Sequence, residues 1–178
     1  MIKEYVKAKD TASKETMQLA VCKVGGGEYA MDIMRIVEII RPQKITKIPR
    51  SPEFIEGVIN LRGKVVPIVD LRKRFGMDTG FAEQKKVRMV IVRMAGRVMG
   101  TIVDEVSEVI HIDTDRIEAT PDSVRGVDAE YLKGVGKLGD RLIIVLDMNK
   151  VLSKDEMAKL KAAEEASART SMPVPEGA

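Results

Sequence analysis

The chain has 178 residues, 44% apolar, 32% charged and 3% aromatic, with one cysteine and no tryptophan. A single cysteine excludes an internal disulfide framework, and the longest apolar run, Leu142 to Leu146, is strand-sized rather than membrane-spanning. Net charge is +3, from 30 basic and 27 acidic residues; the one dense basic run, Arg72-Lys73-Arg74, and the scarcity of aromatics for base stacking argue against nucleic-acid binding.

The N-terminus, Met1-Ile2-Lys3-Glu4-Tyr5, lacks the apolar core of a signal peptide. With the lone cysteine, this reads as a cytoplasmic protein without direct membrane insertion. Residues 1–14 are expected to form a flexible terminus. The first strand is predicted over Gln18 to Val24, and a glycine turn leads from it into a second over Glu28 to Asp32. A third is predicted around Val37 to Ile40. Ser51-Pro52-Glu53-Phe54 has a cap and a first-turn proline, so about one helical turn is expected up to Gly57. Val58 to Leu61 and Lys64 to Val69 should form a hairpin about Arg62-Gly63. Asp70 then caps a turn that places Leu71 beside Phe75.

The same order then recurs. Strands are predicted at Arg88 to Met94, Arg97 to Val103, Val106 to Ile112, Leu132 to Leu138 and Arg141 to Leu146, with Asp147 capping a turn that pairs Met148 with Leu152. Ser153-Lys154-Asp155-Glu156 is a capping box flanked by Leu152 and Met157 as a hydrophobic staple. It predicts a helix over 153–166, with 167–178 as a disordered tail.

The recurrence reads as an internal duplication. At a constant shift of 70, Met17 to Gly26 lies over Val87 to Gly96, and Ile36 to Ile40 over Val106 to Ile110. At a shift of 77, Leu61 to Leu71 lies over Leu138 to Met148, so the second copy carries seven extra residues, expected between about Asp113 and Glu130. Five short strands per copy with glycine turns fit a small barrel. The predicted fold is mainly β: two packed five-stranded barrels, roughly 15–86 and 87–152, plus the C-terminal helix.

Templates for catalysis fit poorly. Cys22 lies mid-strand opposite Val92 in the duplicate, so it reads as a small buried hydrophobe. His111, the only histidine, alternates with Ile110 and Ile112 and should face solvent. A hydrolase built on these two would lack a supporting third group. No His/Cys cluster suits a metal. Gly25-Gly26-Gly27-Glu28-Tyr29-Ala30 formally matches a dinucleotide fingerprint. However, the duplicate keeps only a hairpin turn there, and Pro42, Pro49 and Pro52 interrupt the required βαβ unit. No cofactor is expected.

The most particular stretch is Gly57-Val58-Ile59-Asn60-Leu61-Arg62-Gly63, followed by Pro67-Ile68-Val69-Asp70-Leu71. With Glu28 to Ile33, Val37-Glu38-Ile39, Val106 to Val109 and Tyr131 to Arg141, it resembles the CheW family of chemotaxis adaptors over about Met17 to Leu160. The resemblance implies two SH3-like barrels related by a pseudo-two-fold axis. It also implies a non-catalytic scaffold between the cytoplasmic tips of methyl-accepting chemoreceptors and the regulatory domain of a CheA-type histidine kinase, at the inner face of the membrane. A scaffold for surface motility or second-messenger control is the alternative. The implied receptor groove lies between the barrels and contains Ile33, Ile36, Glu38, Ile39, Gly57, Asn60, Arg62, Val106 and Val109. Arg62 is expected near Glu38. Kinase-contact residues are unassigned, because Glu118 and Ser123 stand where the family usually has a basic residue and an aromatic.

Overall fold

The computed structural model describes residues 15–77, 83–119 and 131–170, so residues 1–14, expected to be flexible, Ser123 and the tail beyond Thr170 lie outside the described residues. Among the described residues eleven strands form two sheets: β1 (Thr16–Val24), β2 (Gly27–Asp32), β3 (Ile36–Ile40), β4 (Ile55–Leu61), β5 (Lys64–Asp70), β6 (Arg88–Met94), β7 (Arg97–Val103), β8 (Glu105–Asp113), β9 (Ile117–Glu118), β10 (Leu132–Leu138) and β11 (Arg141–Leu146). The α-helices among the described residues are α1 (Leu71–Arg74) and α2 (Lys154–Thr170).

One sheet runs β8-β1-β2-β11-β10-β9 and the other β3-β6-β7-β5-β4. Under the duplication each strand of the five-stranded sheet has a counterpart in the six-stranded one, including the parallel pairs β5·β7 and β11·β2. The extra strand β9 pairs Glu118 with Val135, and a lone bridge between Thr46 and Val58 is its counterpart. These pairings locate the inserted residues. The shift is 118 − 46 = 72 at the bridge and 134 − 57 = 77 at the equivalent glycines, so five of the seven extra residues fall after Glu118.

The expected boundary near residue 86 does not separate the sheets. The five-stranded sheet is the contiguous stretch 36–103, and the six-stranded sheet combines β1 and β2 with β8 to β11 from either side of it. Each copy lends its first hairpin to the other. An apolar strand face is satisfied equally by its own copy or by the duplicate, so alternation alone does not distinguish the two arrangements.

Each sheet curls around its own interior. Ile40, Ile59, Val66, Met89 and Ile102, one from each strand of the five-stranded sheet, join a single cluster. Leu19, Ala30, Ile110, Ile117, Leu138 and Ile143 do the same in the six-stranded sheet. A third and larger cluster between the sheets contains Cys22, Tyr29, Val90, Val92 and Leu160. Leu160 comes from α2, which is therefore docked on the core between the sheets. Its capping box is complete: Ser153 Oγ accepts from Glu156 N at 3.1 Å and Glu156 Oε1 from Ser153 N at 2.9 Å. The helix continues four residues past the expected end at Ala166.

The helical turn expected at Ser51 to Gly57 is instead a turn closed by Ile55 N donating to Pro52 O, and β4 starts at Ile55. Pairing Ile55 with Val69 buries its side chain, which outweighs one local turn of helix. Asp70 does cap α1, its Oδ1 accepting from Arg72 N at 2.9 Å. Arg72 bonds both Asp70 and Asp104, and Asp104 Oδ2 accepts from Gly25 N at 2.8 Å, tying the two units together. These carboxylates, foremost Asp70 through the hydrogen bonds it accepts from the guanidinium, hold Arg72 above its ordinary pKa.

Candidate functional site

A groove of about 840 Å³ is lined from all five strands of the five-stranded sheet. Its lining includes Val37, Val58, Val65, Pro67 and Val98, and its charged residues are Glu38, Arg62, Lys64, Arg93, Arg97 and Glu164. Val37, Val65 and Val98 are large apolar side chains exposed by 46%, 67% and 40%. Alternation along β5 explains Val65: Val66 and Ile68 turn into the sheet interior, leaving Val65 outside.

Arg62 stands at the β4–β5 turn with φ 52°, followed by Gly63 at 83°. Two consecutive left-handed residues make the tight hairpin turn for which Asn-Gly is the ordinary choice. Asn60 Oδ1 supports it by accepting from Gly63 N at 2.8 Å. The Arg62 guanidinium reaches back to Glu38, Nη2 to Oε2 at 2.9 Å, with side-chain exposures of 77% and 21%. An arginine in this backbone conformation is a local choice against propensity, and such conflicts concentrate at functional sites.

The other expected residues lie on different surfaces. A register shift between Ile36 and Glu38 turns Ile36 toward the core between the sheets, where it faces Val92. Ile39, opposite Val90, shares that side and is 42% exposed. Val106 and Val109 are the counterparts on β8, opposite Cys22 and Ala20. Ile36 and Val106 both pack on the core between the sheets. These four belong to the seam between the units, whereas Glu38 and Arg62 line the groove on one sheet. Ile33 opens a short 3-10 turn capped by Asp32. Gly57 is buried at φ 146°, and a Cβ there would stand 2.3 Å from the Thr46 carbonyl oxygen, so its role is the close crossing of two backbones. The implied single groove is thus divided, because the bulge in β3 sends Ile36 and Glu38, two positions apart, to opposite faces.

The duplicate of Glu38 is Glu108, which pairs with Arg141; Arg141 also holds Glu28 at 2.7 Å. Hydrogen bonding to Arg141 lowers the Glu28 carboxyl pKa and raises that of Arg141. Glu118 is exposed and pairs with Lys137 at 3.2 Å.

Cys22 and His111 do not meet. Cys22 faces the core between the sheets, and burial pushes its thiol up to about 12. His111 lies opposite Gln18, four positions along β1 from Cys22 or about 13 Å; its Nε2 and Gln18 Nε2 are 2.6 Å apart.

An apolar groove flanked by charges, and paired by a seam of exposed Ile and Val, defines a protein-docking module. A family model described as the CheW-like domain matches residues 18–156. The chemotaxis protein CheW of Klebsiella aerogenes is 37% identical over 79% of this chain and 84% of its own length. That of Bacillus subtilis is 34% identical over 78% and 88%. The crystal structure of the scaffolding protein TtCheW from Thermoanaerobacter tengcongensis superposes with a TM-score of 0.72 at 38% identity, covering 79% of this chain and 90% of that one. The chain belongs to the CheW-like family and is a scaffold of chemotaxis signalling, which the names of its curated relatives favour over the surface-motility alternative. Among the described residues, no helix is long and apolar enough to cross a membrane.

Proposed function

We propose that this chain couples chemoreceptors to a CheA-type histidine kinase without chemistry of its own, holding the regulatory domain of the kinase beside the cytoplasmic tips of the receptors at the inner face of the membrane. The receptor side comprises the Glu38–Arg62 rim and the apolar seam of Ile36, Ile39, Val106 and Val109. Gly57, Asn60 and Ile33 shape the backbone that presents them. The observation that carries this reading is Arg62: an exposed arginine kept in a left-handed turn and aimed at a glutamate beside an apolar groove. Such a surface suits an inserted helical hairpin, whose apolar side chains enter the groove while its polar groups meet the rim.

The test is calorimetric titration of the purified chain with a receptor cytoplasmic fragment and, separately, with the kinase regulatory domain. Binding of both, and of both together, is the expected result. Binding of neither overturns the proposal.

A further inference from the structure

The matched family domain ends at residue 156, yet α2 continues to Thr170. Leu160 is its last fully buried residue among those whose side chains are described. Beyond it, among the described side chains, only Ala163 and Glu164 are partly covered, and Glu164 forms an ion pair with Arg97. Both belong to the lining of the groove, so the end of the helix makes one wall of it.

The charges there are unbalanced. Glu38 and Glu164 are each already paired with an arginine. Lys64 and Arg93 form no ion pair among the described residues, which leaves the groove with cations to offer. We propose that its occupant is an apolar protein segment edged with carboxylates, and that α2 is a displaceable wall, with Glu164 holding on Arg97 the place a carboxylate of the partner takes on docking. This rests on the reading that the receptor docks over Glu38 and Arg62. Exchange of one carboxylate for another on Arg97 conserves the ion pair, so opening the wall has little cost in charge. Arg97 and Glu164 are 28% and 25% exposed, and a pair so open to solvent holds the helix end by a factor of about five at most.

Glu164→Gln removes the competing carboxylate and should tighten binding of a receptor cytoplasmic fragment about two- to fivefold at low salt. The gain should fade as ionic strength rises and vanish in an Arg97→Ala background, while Glu165→Gln on the exposed face serves as the control. Hydrogen exchange at 161–170 should quicken when the fragment is added to the wild-type chain. Unchanged or weaker binding of Glu164→Gln, with wild-type binding intact, overturns the displaceable wall alone. No binding by the wild-type chain overturns the docking reading and the wall with it.

Discussion

Arg62→Ala separates docking from folding. The guanidinium is 77% exposed and 2.9 Å from Glu38, so the pair adds only about 0–1 kcal/mol to stability, and solvent screening places it toward the lower end. The left-handed backbone at φ 52° is strained for any residue with a Cβ, so alanine leaves the conformational cost of the turn nearly unchanged. For a domain of this size about 1 kcal/mol shifts Tm by about 2–4 °C, and the expected fall is under about 2 °C. Receptor docking is affected differently, because removing a charge from a desolvated interface costs about 2–5 kcal/mol. The receptor affinity and receptor-coupled kinase activation of Arg62→Ala should fall at least about tenfold, and affinity for the kinase regulatory domain should change less. The assay is a pair of titrations beside a thermal melt. A large fall in Tm with proportional loss of both partners would show that Arg62 is structural. Unchanged receptor affinity would remove it from the site.

Ser153→Ala takes away the Oγ acceptor of Glu156 N and should cost about 0.5–2 kcal/mol, seen as a lower midpoint in chemical denaturation; an unchanged midpoint would mean that α2 adds nothing to the stability of the fold. Gly57→Ala puts a Cβ 2.3 Å from the Thr46 carbonyl oxygen, and Gly134→Ala puts one 2.5 Å from that of Glu118. Each should destabilise by more than about 1 kcal/mol in the same assay, with Gly57 the worse because of its positive φ. Burial raises the Cys22 thiol to about 12, so almost no thiolate forms at neutral pH in the folded chain. Alkylation should be slow in buffer and rapid in denaturant, whereas fast labelling of folded protein would revive a reactive role for Cys22.

Much of this molecule was legible from local chemistry. Glycine turns, alternation and the repeat placed the main strands to within a few residues, and Ser153 with Glu156 announced the start of α2, because a capping box satisfies donors within four residues of chain. Arg62 and Glu38 were paired in expectation from their places in two matched motifs, and their side chains do meet. Local chemistry failed where longer-range packing competed with it. Pro52 and Ser51 favoured a helical turn, but burial of Ile55 against β5 drew the chain into a strand.

Which hairpin joins which sheet was decided only in three dimensions. The two copies present nearly the same apolar faces, so β1 and β2 satisfy either interior, and nothing in the alternation records that 36–103 closes as one unit. The groove arose in the same way. Val65 could be read as outward-facing from strand period, but Arg97 meets Glu164 across 67 residues of sequence, on the part of a helix that runs past the matched domain. Periodicity specifies which side of a strand is apolar. The neighbour that covers that side, or leaves it open for a partner, is chosen by packing among elements far apart in the chain.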